Sequence, residues 1–162
     1  MTIDAGMRRP AAVALAVYGA LVALVGFFPT PVDRGATPLL RSALAALHRR
    51  GVPDWFDYHF VEFTANIALF VPFGMLALFA TGRRRAWLAV LAGVGASATI
   101  ELGQWLLLPE RFPSGLDVVA NSIGTAIGVA IGYGALALRD PRPRSRTVAP
   151  LSATQRDHDP TR

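Results

Sequence analysis

Glu101, Gln104, Asp117 and Asn121 stand close together in Ser97 to Gly128, a stretch that is otherwise strongly apolar. Carboxylates and carboxamides are expensive within a bilayer and usually face a protein interior or a watery cavity. Such groups can hydrogen-bond a polar head group, carry a proton, or serve as general acid and base. Arg111, in the short turn PERFPSG between Glu101 and Asp117, adds a cation suited to an anionic group. Glu62 and Asn66 bring a second acid and amide from an earlier apolar run.

Four apolar runs must position these side chains. The first spans 11–28, long enough to cross a hydrocarbon core, and follows a polar start (1–10) with Arg8 and Arg9. It reads as an uncleaved helix rather than a signal peptide, because the run is long and no small-residue cleavage site follows. The second, about 62–81, carries His59, Glu62 and Asn66 at i, i+3 and i+7 on one face near its entrance. Its Pro72 cannot donate to the Ala68 carbonyl, which predicts a kink or loosened turn around Pro72 to Gly74. The third runs over about 86–108 and the fourth over about 116–138. Ser114 and Asp117 have capping-box spacing at the start of the fourth, so Asp117 is expected to satisfy free amides there. Gly124, Gly128 and Gly132 then recur every fourth residue, a stripe that lets another helix approach closely.

Between the first and second runs lies the one long connection. Its opening, PTPVDRGATP, is too rich in proline for a helix. Over 38–50 a short amphipathic helix is expected, with Thr37 as N-cap, Pro38 in the first turn and Gly51 as the stop. Leu40, Ala43, Leu44 and Leu47 share a face opposite Arg41 and His48, the pattern of a helix lying on a membrane surface. Trp55, Phe56, Tyr58 and Phe60 follow as an interfacial aromatic cluster. Residues 139–162, rich in Arg, Pro, Ser and Thr, read as a disordered basic tail.

The expected fold is thus an all-α integral membrane protein: a four-helix bundle over 11–138 with an interfacial helix in its first outer loop. A composition of 52% hydrophobic residues is too apolar for an ordinary soluble domain of this length. The net charge of +5 comes from sixteen arginines and no lysine. Such a balance in a membrane protein reflects loops on the cytoplasmic side rather than nucleic-acid binding. The arginines at 8, 9, 83–85 and in the tail fall on one side of this topology, so both termini are expected in the cytoplasm. Without cysteine, and with His48, His59 and His158 far apart, no metal or other cofactor is expected.

Topology also sets depth. Glu62, Asn66, Asp117 and Asn121 fall in the first turns below the outer surface. Glu101, seven residues before Leu108, sits roughly 10 Å deep at about 1.5 Å per residue. Ser97, Glu101 and Gln104 share one face of the third span, while Asp117, Asn121, Gly124 and Gly128 share one face of the fourth. Three helices therefore aim polar stripes at one outer layer.

The blocks NIALFVPFG (66–74), IELGQ (100–104) and RFPSGLDVVANSIG (111–124) resemble the VanZ-like family, over about residues 62–133, with the first span similar only in kind. The shared positions are Asn66, Phe70, Pro72, Gly74, Glu101, Gln104, Arg111, Asp117, Asn121 and Gly124. Ser114 stands where family members often carry a further acid, a departure that weakens any mechanism needing two carboxylates in that turn. The resemblance implies a small multi-pass protein of the bacterial plasma membrane. The family's namesake is associated with low-level resistance to the glycopeptide teicoplanin, a function that resemblance does not by itself carry to this chain.

Four functions remain open. The leading expectation is a non-enzymatic cell-envelope protein that binds a polar or anionic head group, of an envelope lipid or a glycopeptide-type ligand. Arg111 would be the anion contact, with Glu101, Gln104, Asp117 and Asn121 as hydrogen-bonding walls. The alternatives are a proton- or ion-coupled transport component, a membrane scaffold, and an embedded enzyme, for which no nucleophile elbow, H-E-x-x-H or phosphate loop is present. Against all of them stands a packing role in which the polar groups satisfy one another. Membrane lipids are expected partners, with homo-oligomerisation through the glycine stripe and no nucleic acid.

Overall fold

The computed structural model describes residues 5–27, 37–108 and 114–139. They form five α-helices: α1 (Ala5–Gly26), α2 (Thr37–His48), α3 (Tyr58–Thr81), α4 (Ala86–Leu107) and α5 (Gly115–Arg139), with a 3-10 turn at Arg83–Arg85 before α4. Helices α1, α3, α4 and α5 are long and apolar enough to cross a membrane, while α2 is the short amphipathic element. The expected tail over 139–162 lies beyond the described residues after Arg139, as do the PERFPSG turn from Pro109 to Pro113 and the proline-rich segment 28–36.

Two helices start earlier than hydropathy suggests. Helix α1 takes in the polar residues from Ala5 because Pro10 removes only one helical hydrogen bond, near an exposed end. Helix α3 begins at Tyr58 because Asp57 caps it, its carboxylate accepting from the Phe60 amide at 2.9 Å. That start brings Phe60 against Trp55, with ring centroids 5.1 Å apart, and against Phe56 at 5.2 Å. Helix α3 ends at Gly82, whose φ of 88° needs glycine and whose amide bonds the Leu78 carbonyl. Helix α2 buries Leu44 and half-buries Leu40 and Leu47, leaving Arg41 exposed as expected. Ala43 is also exposed, so the buried face is narrower than the sequence pattern. The ring nitrogen Nε2 of His48 lies 3.1 Å from the Phe56 carbonyl and ties the end of α2 to the aromatic cluster.

The bundle is organised on a parallel pair. Helices α3 and α5 make the most extensive contact, α1 packs on α3, and α4 packs on both α5 and α3. The buried apolar core is small: Val22, Phe70, Phe73, Ala77, Leu78, Ala89 and Leu136. Large apolar side chains instead cover the outside, among them Val13, Leu24, Trp87, Leu91, Ile127 and Leu138. A surface of that kind is stable only against lipid.

The α3–α5 contact passes through glycine. A Cβ on Gly124 would strike the Ile67 carbonyl oxygen, one on Gly128 that of Val71, and one on Gly74 that of Thr125. Gly132 continues the row, where a Cβ would lie 3.0 Å from the Leu78 side chain and 3.3 Å from that of Met75. The close approach expected of the stripe is therefore made within the chain, onto α3, and these buried glycines are not exposed as a seam between copies. With little hydrophobic drive between helices in lipid, near contact of backbones supplies the dispersion that holds them together.

Helix α3 continues through Pro72 as a single helix to Thr81. Beside the proline, the Tyr18 hydroxyl of α1 donates to the Leu69 carbonyl at 2.7 Å, one residue past the Ala68 carbonyl that has lost its helical donor. Tyr18→Phe is expected to destabilise the protein by about 0.6 kcal/mol, the average for a hydrogen bond between membrane helices, and no more than about 1.7. Thermal unfolding of the detergent-solubilised variant measures this, and a larger loss would mean that the hydroxyl braces more of α3 than one carbonyl.

Candidate functional site

Polar side chains of α3, α4 and α5 meet at the end of the bundle where α3 and α5 begin and α4 ends. At the rim, Asn66 of α3 donates through Nδ2 to Oδ1 of Asp117 on α5, at 2.9 Å. Beside it the Ser114 backbone amide donates to Oε2 of Glu101 on α4, also at 2.9 Å. All four residues are half-buried.

This arrangement revises the expected cap of α5. Asp117 sits three residues after Ser114, where a capping-box acid would reach back to the Ser114 amide. Its carboxylate instead takes the Asn66 amide, and the acceptor for Ser114 comes from Glu101 of another helix. Glu101 thereby lies at the N-terminal, positive end of the α5 dipole. Ser114, which replaces the further acid of the family pattern, contributes to the site through its backbone.

One turn below the rim, Asn121 donates through Nδ2 to Ser97 Oγ at 2.9 Å. Both residues are buried, Asn121 at 7% exposure and Ser97 at 0%. Among the described residues no donor reaches Asn121 Oδ1. A buried acceptor without a donor costs about 1–3 kcal/mol, so this atom calls for a partner. The floor is Thr125, fully buried, with Oγ1 turned back to the Asn121 carbonyl at 2.8 Å. It wedges between Gly74 of α3 and Gly93 of α4, each of which would collide with it if given a Cβ.

Other candidates lie elsewhere. The buried Gln104 donates through Nε2 to the Gly26 carbonyl at 2.8 Å, capping the C-terminal end of α1 rather than joining the Asn66–Asp117 pair. Phe27 packs nearby against Gly103. Glu62 is on the surface, its carboxylate 3.8 Å from Nδ1 of an exposed His59. Arg111 lies outside the described residues. Among those described, no group of three or more His, Cys, Asp or Glu could hold a metal ion.

The VanZ/LLP1 family model matches residues 15–137 of this chain. The chain belongs to the VanZ/LLP1 family. The match begins at Leu15, so the first span is part of the family's shared unit, beyond the 62–133 stretch in which the sequence motifs lie. No curated protein and no solved structure matches the chain. In this VanZ/LLP1 protein the motif residues thus divide by role: Asn66, Glu101, Asp117 and Asn121 build the polar layer, whereas Gly74 and Gly124 close the helix pair beneath it.

Gly93, Thr125 and Tyr18 were not singled out from sequence. Gly93 and Ser97 stand four apart on α4, a small-residue spacing that marks a close helix contact and could have pointed to the first of them. For Thr125 and Tyr18 the surrounding apolar sequence carries no comparable signal.

Proposed function

We propose that this VanZ/LLP1 membrane protein is a non-enzymatic cell-envelope protein that binds the polar or anionic head group of an envelope lipid or glycopeptide-type ligand in the layer between α3, α4 and α5. The observation that carries this reading is the buried, undonated Asn121 Oδ1 beneath a half-buried rim of Asn66, Glu101, Ser114 and Asp117. A hydroxyl or amine of a head group would supply the donor that Oδ1 calls for. Arg111, four residues before Gly115, would bring an anion contact to the same mouth. On this reading the layer faces the outer leaflet and both termini the cytoplasm. The support is that six of the nine described arginines, Arg8, Arg9, Arg83, Arg84, Arg85 and Arg139, lie at the opposite end, as the positive-inside bias favours.

The test is native mass spectrometry of the purified protein beside Glu101→Gln and Arg111→Ala, with lipid II extract as the probe. Wild type is expected to retain a bound species and Arg111→Ala to lose about tenfold in occupancy, the effect of roughly 1.4 kcal/mol. Glu101→Gln keeps an acceptor for Ser114, so it is expected to fold normally while weakening the site. Equal retention by all three would remove the pocket. Susceptibility to envelope-directed glycopeptides, measured on cells with and without each variant, tests the biological consequence.

One second reading has its own support. The pairs Asn66–Asp117, Glu101–Ser114, Ser97–Asn121 and Gln104–Gly26 all bridge separate helices, as a purely structural scaffold would have them. It differs in expecting every loss of ligand to track a loss of stability.

A further inference from the structure

Among the described residues, the end of the bundle opposite the polar layer carries charge of a single sign. Arg8, Arg9, Arg83, Arg84, Arg85 and Arg139 belong to it, at the start of α1, the turn between α3 and α4, and the end of α5. The described carboxylates, Asp54, Asp57, Glu62, Glu101 and Asp117, all lie toward the other end. Two contacts hold the arginine elements together. The Arg8 guanidinium would sit 2.9 Å from a Cβ on Gly82, and Arg83 stacks 4.6 Å above the Tyr133 ring.

A shallow, open groove along α1, bordered by Leu76 of α3, begins at this end. Pro10, Val13, Ala14, Val17 and Leu21 of α1 face Leu76 of α3 across a volume of about 580 Å³. Tyr18 also borders it, but its hydroxyl is already donated to Leu69, so the lining is apolar in effect. From Pro10 to Leu21 the helix rises roughly 17 Å, close to half of a hydrocarbon core of about 30 Å. The groove therefore has the reach of one acyl chain in one leaflet. Arg9 stands four residues before Val13, on the row Arg9, Val13, Val17 and Leu21, and so at the mouth.

We propose that this groove binds one acyl chain of an anionic phospholipid, with the lipid phosphate held by Arg9 and the exposed Arg84 and Arg85. Length and apolarity select an acyl chain, and guanidinium groups with no described carboxylate at their end of the bundle select an anionic head. The site lies at the opposite end from the head-group layer and does not depend on that reading.

Native mass spectrometry of the full chain, titrated with phosphatidylglycerol or with phosphatidylcholine of identical chains, tests the proposal. Phosphatidylglycerol is expected to bind preferentially, with one molecule retained per chain. Each arginine near the head group strengthens such binding about fivefold, so Arg9→Gln is expected to weaken it about fivefold and Arg9→Gln with Arg84→Gln about 25-fold. Ala14→Phe, on an exposed position, fills the groove and is expected to abolish the preference with an unchanged thermal melt. If that melt shifts, Val17→Phe takes its place. Arg50→Gln, at the other end of the bundle, is expected to leave binding as it was. Equal retention of the two lipids would overturn the proposal. So would a groove-filled variant that keeps phosphatidylglycerol while Arg9→Gln loses it, since that pattern describes charge attraction without a groove.

Discussion

Gly128→Ala is expected to lower the thermal unfolding midpoint of the detergent-solubilised protein by roughly 6–12 °C. The added Cβ meets the Val71 carbonyl oxygen and lies 2.9 Å from the Met75 amide nitrogen, both of them backbone atoms of α3. Backbone cannot swing aside as a flexible side chain can, so the two helices must separate. That places the cost near the upper end of overpacking, about 3 kcal/mol, and each kcal/mol moves the midpoint of a chain of this size by about 2–4 °C. Gly134→Ala is the control. It lies on the same helix with nothing within 4 Å of its Cβ, and alanine's better helix propensity, about 1 kcal/mol, should raise the midpoint slightly. If Gly128→Ala melts like wild type while Gly134→Ala behaves as described, the parallel α3–α5 contact is not built through this stripe.

Asn121→Leu is expected to cost head-group retention about tenfold while leaving the unfolding midpoint unchanged or higher. The substitution removes the Ser97 bond, about 0.6 kcal/mol between membrane helices, and takes its donor from the buried Ser97 hydroxyl. It also removes an acceptor whose isolation costs about 1–3 kcal/mol, so the two burial costs offset. Stability should therefore not suffer, whereas a ligand that donates to Oδ1 loses its deepest contact, worth about 1.4 kcal/mol. A residue that improves stability when removed is the signature of a site kept for function. Ser97→Ala separates the alternatives, because it strands the Asn121 amide and should destabilise the fold. A strongly destabilised Asn121→Leu that still retains ligand would place this residue in the scaffold alone.

These two experiments bear on different parts of the motif pattern. Gly74 and Gly124 share their motif blocks with Asn66 and Asn121, yet the glycines close a helix contact while the amides open onto the layer above it. The stripe that looked suited to a second copy is occupied by α3 of the same chain. Gln104, expected among the walls of the layer, spends its amide on the last turn of α1. In both cases the residue type and helix face were readable, while the neighbour was not.

The sequence alone determined the four apolar helices, the short amphipathic helix α2, the family resemblance and the helix face that carries each polar residue. Each of these depends on local quantities: run length, hydropathy, caps, and the repeat of about 3.6 residues per turn. Only the tertiary structure decided which groups meet. Periodicity assigns a side chain to a face of its own helix and carries nothing about the rotation of the neighbouring helix, on which a 2.9 Å hydrogen bond depends. Thus Glu101 could be read as an acid in the outer layer, but its bond to the Ser114 amide at the head of α5 follows from how α4 and α5 pack. The stranded Oδ1 of Asn121 follows from the same packing, since an unmet hydrogen bond exists only relative to neighbours.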